Sequence, residues 1–167
     1  MNKTIITIAL AVIVFAGIAW AARPDSQNAE ISSPSSELQT QGPLSAEERT
    51  FDFQSISMAS GNVSHSFKIK NNGTDPLVIE KIYTSCMCTT ASLIKGEEQF
   101  GPYGMAGHGF IPKINEVIGP GEEATIEVVF DPTAHGPAGI GPIERSIIIE
   151  NDSGKPLELG FSAVVTP

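Results

Sequence analysis

The chain has 167 residues, a formal net charge of −9 at pH 7, two cysteines and one tryptophan. This length suits one ordinary domain with extensions and is too short for a large α/β enzyme. A strongly acidic chain repels phosphate backbones, so we expect no nucleic-acid partner. The 16 glycines and 12 prolines, together with little uninterrupted amphipathic periodicity, predict a turn-rich all-β domain.

The N-terminal segment, residues 1–23, is predicted to meet a membrane. An uncharged run extends from Thr4 to Ala22 and ends at Arg23. About 19 such residues nearly reach the roughly 20 that cross a bilayer, which favours a single-pass signal-anchor with the remaining chain outside, periplasmic or extracellular. Ala19-Trp20-Ala21 also forms a small-x-small cleavage site. A cleaved signal peptide and a secreted product therefore stay open as the alternative.

Residues 24–50 change in character and are predicted to form a flexible linker. They are rich in Ser, Gln and Glu and contain few apolar side chains. A coil of roughly 27 residues has a root-mean-square reach on the order of 30 Å. The linker would therefore hold a following domain just off a membrane surface.

From Phe51 onward, short β-type runs alternate with Gly, Pro, Asn and Asp. Residues 63–70 alternate apolar and polar side chains, which is the period of a half-buried strand. Further runs cover residues 51–56, 77–84, a short piece after Cys88, 124–130, 143–150 and 157–165. About seven short strands predict an Ig-like antiparallel β-sandwich over residues 51–167, with a Gly-rich insertion at 95–120.

A family resemblance is carried by two segments, FDFQSISMASGNVSHSFKIKNNGTDPLVIEKIYTSCMCTT and IGPGEEATIEVVFDP. Together they resemble the bacterial domain of unknown function 1573 family, an Ig-like group related to Hydin and major sperm protein domains, with an SCxCT motif. The resemblance implies a sandwich fold over about residues 51–167 and an exported location. It implies no reaction, because the family has no assigned activity. The chain departs from the family pattern at Gln54, where glycine is usual, and in the insertion.

Cys86 and Cys88 form the chemically most reactive pair. In an extended segment, residues i and i+2 point to the same side with Cα atoms about 6.8 Å apart, at the edge of the disulfide range. Export favours a disulfide, but a bridge that closes so short a loop would be strained and would stabilise little. Three interpretations stay open: two buried core residues, a soft-metal site, or a thiol–disulfide redox pair.

Three further residues strengthen the metal hypothesis. His108, His135 and Met105 lie in Gly- and Pro-rich loops, although each histidine could equally be a solvated loop residue. Thiolate, imidazole and thioether are the ligands that Cu(I) prefers. The hypothetical site therefore comprises Cys86, Cys88, His108, His135 and Met105, with copper(I) as the metal. Zinc fits less well, because the spacing matches no known zinc motif.

The sequence predicts a binding or structural module and no enzyme. It contains no GxSxG motif, no P-loop lysine and no HExxH. His65 lies on the apolar face of its strand, and we expect a core or sheet-end histidine that is hydrogen-bonded to backbone and is no metal ligand. The predicted function is thus a membrane-anchored, non-catalytic domain with a protein partner. Copper(I) binding or transfer is the second hypothesis, and thiol–disulfide redox chemistry is the third.

Overall fold

The computed structural model describes residues 42–167 with the exception of His108. The predicted anchor and most of the predicted linker lie outside these residues. In the described part, no helix has the length and apolar character needed to span a bilayer. Two short 3-10 helices, Met58–Ser60 and Gly136–Gly139, accompany ten strands. The strands are β1 Leu44–Ala46, β2 Thr50–Ser57, β3 Val63–Asn71, β4 Leu77–Thr84, β5 Thr89–Lys95, β6 Glu98–Tyr103, β7 Glu116–Ile118, β8 Glu123–Phe130, β9 Gly141–Asn151 and β10 Leu157–Thr166.

The ten strands form two five-stranded sheets. The first sheet has the order β1-β3-β8-β5-β6 and the second has the order β2-β10-β9-β4-β7. Neighbouring strands pair antiparallel, except that β2 runs parallel to β10. The all-β prediction is confirmed, and the two sheets are consistent with a β-sandwich.

The inner faces of both sheets form one hydrophobic core. In β3, Phe67 and Ile69 are almost fully buried, whereas Lys68 between them is exposed. Ile147 of β9 and Leu159 of β10, in the second sheet, are fully buried in the same core. Each such side chain contributes roughly 1.5–3 kcal/mol when it leaves water. Burial of one face of each strand therefore accounts for the alternation in the sequence.

The prediction of about seven strands is wrong, because β1, β6 and β7 were missed. Strand β1 lies in the segment predicted as linker, where Leu44 is buried in the core and β1 pairs with β3. Strands β6 and β7 lie in the predicted insertion and extend the two sheets at their edges. β1 and β7 have three residues each, which is too short for an alternating pattern to be visible. β6 contains Gly and Pro, which usually mark turns.

Buried asparagines fasten the turns at one end of the sheets. The Asn71 side-chain amide donates to the carbonyl oxygens of Asp75 and Ile118, both at 2.9 Å, and its carbonyl oxygen accepts from the Gly73 N–H at 2.9 Å. The Asn151 side-chain amide likewise donates to the Lys155 carbonyl oxygen at 2.9 Å. Because buried backbone groups must be hydrogen-bonded, these side chains substitute for missing ladder partners.

The segments that carry the candidate site meet where the end of β4 lies beside the middle of β9. The Ser85 N–H donates to the Ser146 carbonyl at 2.9 Å, and the Ser146 N–H donates to the Ser85 hydroxyl at 2.9 Å. The Asp131 N–H, which follows β8, donates to the Cys88 carbonyl at 2.9 Å. The β4–β5 turn is thus attached by hydrogen bonds to both β9 and the loop after β8.

Candidate metal and thiol site

Cys86 and Cys88 lie in the turn between β4 and β5, so the spacing considered for an extended segment does not apply to them. β4 and β5 belong to different sheets, so the chain must cross between the sheets here and cannot continue extended. The Thr89 N–H donates to the Cys86 carbonyl at 3.2 Å and closes the turn. The buried Thr84 hydroxyl is shared between the Cys86 carbonyl at 2.9 Å and the Thr89 carbonyl at 3.0 Å.

Both cysteines are free thiols and both are buried. Only 8% of Cys86 and 3% of Cys88 is exposed. The Cys88 N–H donates to the Cys86 sulfur at 3.4 Å, and Cys88 Sγ lies 3.6 Å from the Thr89 hydroxyl oxygen. The turn therefore holds two sulfur atoms side by side beneath the surface, with hydrogen bonds already directed at them.

His135 reaches the cysteines from the loop between β8 and β9. Its Nε2 atom lies 3.1 Å from Cys86 Sγ. The loop is braced by Asp131, whose carboxylate accepts from the Thr133 N–H at 2.8 Å, and by the Gly136 N–H, which donates to the Thr133 carbonyl at 2.8 Å. The ligand atoms of Cys86, Cys88 and His135 all lie within 4.8 Å of one another. The structure thus brings together three of the five predicted ligands.

Arg145, which the sequence analysis missed, completes the cluster from β9. Its Nε–H donates to Cys88 Sγ at 3.3 Å, and an η nitrogen donates to the Glu144 carbonyl at 2.7 Å. A signal was present in the sequence, since Arg145 is in phase with Ile147 and Ile149, which face the core. An arginine in phase with core residues has to find an anionic partner or extend its charged end to the surface.

The two thiols differ in acidity. Burial alone would raise the pKa of Cys86, but hydrogen bonds from Cys88 and His135 outweigh it and lower this pKa to about 7. Burial raises the pKa of Cys88, and the neighbouring Cys86 raises it further, against opposing hydrogen bonds from Arg145 and Thr89. Cys86 is therefore the more acidic of the two thiols.

The other two predicted ligands are Met105 and His108. Met105 forms an isolated backbone bridge with Thr84 and lines a cavity of about 490 Å³ together with Met87, Tyr103 and Phe110. His108 lies outside the described residues, so its role as a ligand stays a prediction. Met87, between the two cysteines, is 55% exposed.

His65 lies elsewhere, and its hydrogen-bond partner differs from the predicted one. Its Nε2 atom is 3.0 Å from a Glu48 carboxylate oxygen, and its ring stacks on Phe51 with centroids 3.6 Å apart. The expected backbone hydrogen bond is replaced by a carboxylate, because the side chain reaches the sheet surface, where it is 20% exposed.

A family comparison agrees with the sequence motifs. Residues 44–102 match the model of a family described as "Protein of unknown function (DUF1573)". The resemblance to this family is confirmed. The matched residues include Cys86 and Cys88 and end before His135 and Arg145. No curated protein matches the chain in sequence.

Solved structures with similar folds share little sequence with the chain. A protein of unknown function from Porphyromonas gingivalis W83 has a TM-score of 0.55 and 16% identity, with 74% of this chain and 47% of that chain covered. A family 123 glycoside hydrolase from Clostridium perfringens has a TM-score of 0.50 and 12% identity, with 70% and 22% covered. The chain thus spans less than half of either protein. At such identities, the similarity concerns the fold alone.

Proposed function

We propose that the domain is a non-catalytic module that binds one Cu(I) ion through Cys86 Sγ, Cys88 Sγ and His135 Nε2. The observation that carries this proposal is the convergence of these three ligand atoms within 4.8 Å. The cysteines lie in the β4–β5 turn and His135 lies in the β8–β9 loop, and Cys86 and His135 are 49 residues apart in the chain. Two thiolates and an imidazole are a soft ligand set of the kind that selects Cu(I).

The number of ligands supports Cu(I) over Zn²⁺. Structural zinc is almost always bound by four ligands in a tetrahedron. Among the described residues, the cluster contains three His, Cys or acidic groups. A trigonal ion with bonds of about 2.3 Å, the Zn–thiolate length, would place its ligands about 4 Å apart. Small side-chain movements therefore suffice to convert the Cys86–His135 hydrogen bond into two metal bonds.

Burial of the cysteine sulfurs supports a preformed metal site over a chance grouping of surface side chains. The turn orders both cysteine sulfurs before any ion arrives, so little conformational entropy is lost on binding. His135 belongs to the exposed part of its loop, which leaves one side of the cluster open to an incoming ion. If residues 1–23 anchor the chain as the sequence predicts, the site would face the outside of the cell membrane.

Anaerobic titration tests the proposal. The reduced chain is titrated with Cu(I) against a chromogenic Cu(I) chelator, and one ion should bind per chain with X-ray absorption showing two sulfur ligands and one nitrogen ligand. Cys86→Ser/Cys88→Ser should abolish the competition, whereas His65→Ala, which removes a histidine outside the site, should not. Equal copper retention by the wild type and the double variant would overturn the proposal.

A second candidate, thiol–disulfide exchange, is favoured by the unequal pKa values of the two thiols. The Cys86 thiolate would attack a disulfide of a partner protein, form a mixed disulfide and expel one partner thiolate. Cys88, after losing its proton, would attack Cys86 Sγ, leave a Cys86–Cys88 disulfide and expel the second partner thiolate. Incubation with oxidised glutathione tests this route. Formation of a trapped glutathione adduct on Cys86 in Cys88→Ser would support it, and full recovery of unmodified thiols in wild type would exclude it.

A further inference from the structure

Arg145 is a cation on the core side of β9. It pairs across the sheet with Phe161, of which only 3% is exposed. It has the same strand phase as Ile147 and Ile149, which are fully buried. Arg145 itself is half-buried, so its guanidinium loses part of its hydration, and a neighbouring anion would compensate this loss. The position therefore requires an explanation that strand formation does not supply.

The side-chain group that Arg145 contacts is the Cys88 sulfur. Its Nε–H donates to Cys88 Sγ at 3.3 Å, and its other described hydrogen bond goes to a neutral carbonyl, that of Glu144. The ion pairs found within residues 42–107 and 109–167 join other cations to carboxylates, and none includes Arg145. When a metal binds and both cysteines lose their protons, the two thiolates are thus the negative charge that this guanidinium faces.

The total charge of the loaded site depends on the metal. Two thiolates, one neutral imidazole and a monovalent ion sum to −1, which the guanidinium cancels. With a divalent ion the same ligands sum to zero, and the guanidinium charge is left uncompensated beside the core. A charge difference of one unit next to a partly buried cation changes the metal affinity, because charges interact more strongly there than in bulk water.

We infer that Arg145 is a specificity-determining residue that makes the Cys86–Cys88–His135 site favour a monovalent soft cation, Cu(I), over divalent Zn²⁺. This inference rests on the proposed function and adds that the site selects its metal by charge. Arg145 acts through the Cys88 sulfur and does not itself bind the metal. A guanidinium N–H that donates to a metal-bound thiolate also fixes the orientation of that ligand.

The test compares two metals in matched variants of the full chain. Arg145→Met removes the charge at similar side-chain length, Arg145→Lys keeps the charge, and Lys155→Met removes a cation from the turn at the other end of β9. Dissociation constants for Cu(I) and Zn²⁺ are measured by chelator competition under anaerobic, reducing conditions. Circular dichroism confirms that each variant is folded, and Arg145→Gln replaces Arg145→Met if the latter does not fold.

The expected result is a change in the ratio of the two affinities. Arg145→Met should weaken Cu(I) binding by about 10- to 100-fold, since hydrogen bonds to charged groups are of that strength. Zn²⁺ binding should change by less, so the Cu(I)/Zn²⁺ affinity ratio should fall at least about tenfold, or 1.4 kcal/mol. Arg145→Lys should retain most of the ratio, and Lys155→Met should retain all of it.

Two failures are distinguishable. If the wild type binds no Cu(I), the proposed function itself is overturned, and the role of Arg145 falls with it. If the wild type binds Cu(I) but Arg145→Met or Arg145→Gln leaves the affinity ratio unchanged, the site stands and the charge-selection role of Arg145 is refuted. A parallel loss of both affinities would likewise refute it, because that result indicates a purely structural residue.

Discussion

Replacing His135 with alanine should raise the pKa of the Cys86 thiol in the reduced, metal-free protein. Burial acts to raise this pKa, and hydrogen bonds from Cys88 and His135 reverse the effect and bring it to about 7. The imidazole lies 3.1 Å from the sulfur, and its N–H stabilises the thiolate by donating to it. Without the imidazole, fewer hydrogen bonds oppose the effect of burial on the Cys86 pKa, so the neutral thiol becomes more favourable relative to the thiolate.

The magnitude follows from the strength of one hydrogen bond. A hydrogen bond to a charged group contributes about 1.5–3 kcal/mol, and one pKa unit corresponds to about 1.36 kcal/mol. Loss of the His135 contact should therefore raise the pKa of Cys86 by about 1–2 units. At pH 7 the thiolate fraction would fall from about one half to about 10% or less.

Thiolate absorbance near 240 nm measures this change without requiring reagent access to a buried sulfur. We expect the first midpoint of the wild type near pH 7 and that of His135→Ala about 1–2 units higher. His65→Ala is the matched control, because His65 contacts Glu48 and Phe51 and lies outside the cluster. An unchanged midpoint in His135→Ala, or an equal rise in His65→Ala, would refute the reasoning.

Three further predictions concern stability, measured as the free energy of unfolding in urea. The pKa of Cys86 falls from 9.0 to about 7 on folding, so its ionisation should add up to about 2–3 kcal/mol to the free energy of unfolding as pH rises from 7 to 9. This contribution is lost as pH falls through 7. Cys86→Ser should flatten the rise, and a pH profile parallel to that of the wild type would contradict this prediction. Asn71→Ala should cost about 2 kcal/mol or more, since the carbonyls of Asp75 and Ile118 lose their donor; a loss below about 0.5 kcal/mol would show that water replaces the amide. Phe67→Ala should cost about 3–5 kcal/mol because Phe67 is 1% exposed, and a surface-like loss of about 0.5 kcal/mol would rule out its place in the core.

Most strands could be predicted because burial of one face leaves a periodic record. The bounds of β4, Leu77–Thr84, coincide with the apolar run in the sequence, and β3 extends the predicted run by one residue, Asn71. β1 and β7 left no such record. Three residues show no period, and their placement depends on which edge of a sheet is free to accept them.

The candidate site could be predicted in its chemistry but not in its membership. Cys86, Cys88 and His135 were selected because thiolate and imidazole bind soft metals, and the fold brings them together. Met105 has the same chemical suitability and lies beside a neighbouring cavity. Ligand type depends on the side chain alone, whereas convergence depends on the path of the backbone between strands.

The all-β class, most strand positions and the reactive cysteine pair could be predicted from the sequence, because these depend on local periodicity and on side-chain chemistry. The folded structure was needed to show that the cysteines occupy a turn between two sheets, that His135 reaches Cys86 from another loop, and that Arg145 faces Cys88. These contacts join residues that are 49 and 57 positions apart in the chain. Their physical origin is the packing of two sheets around one core, and no local pattern of residues records it.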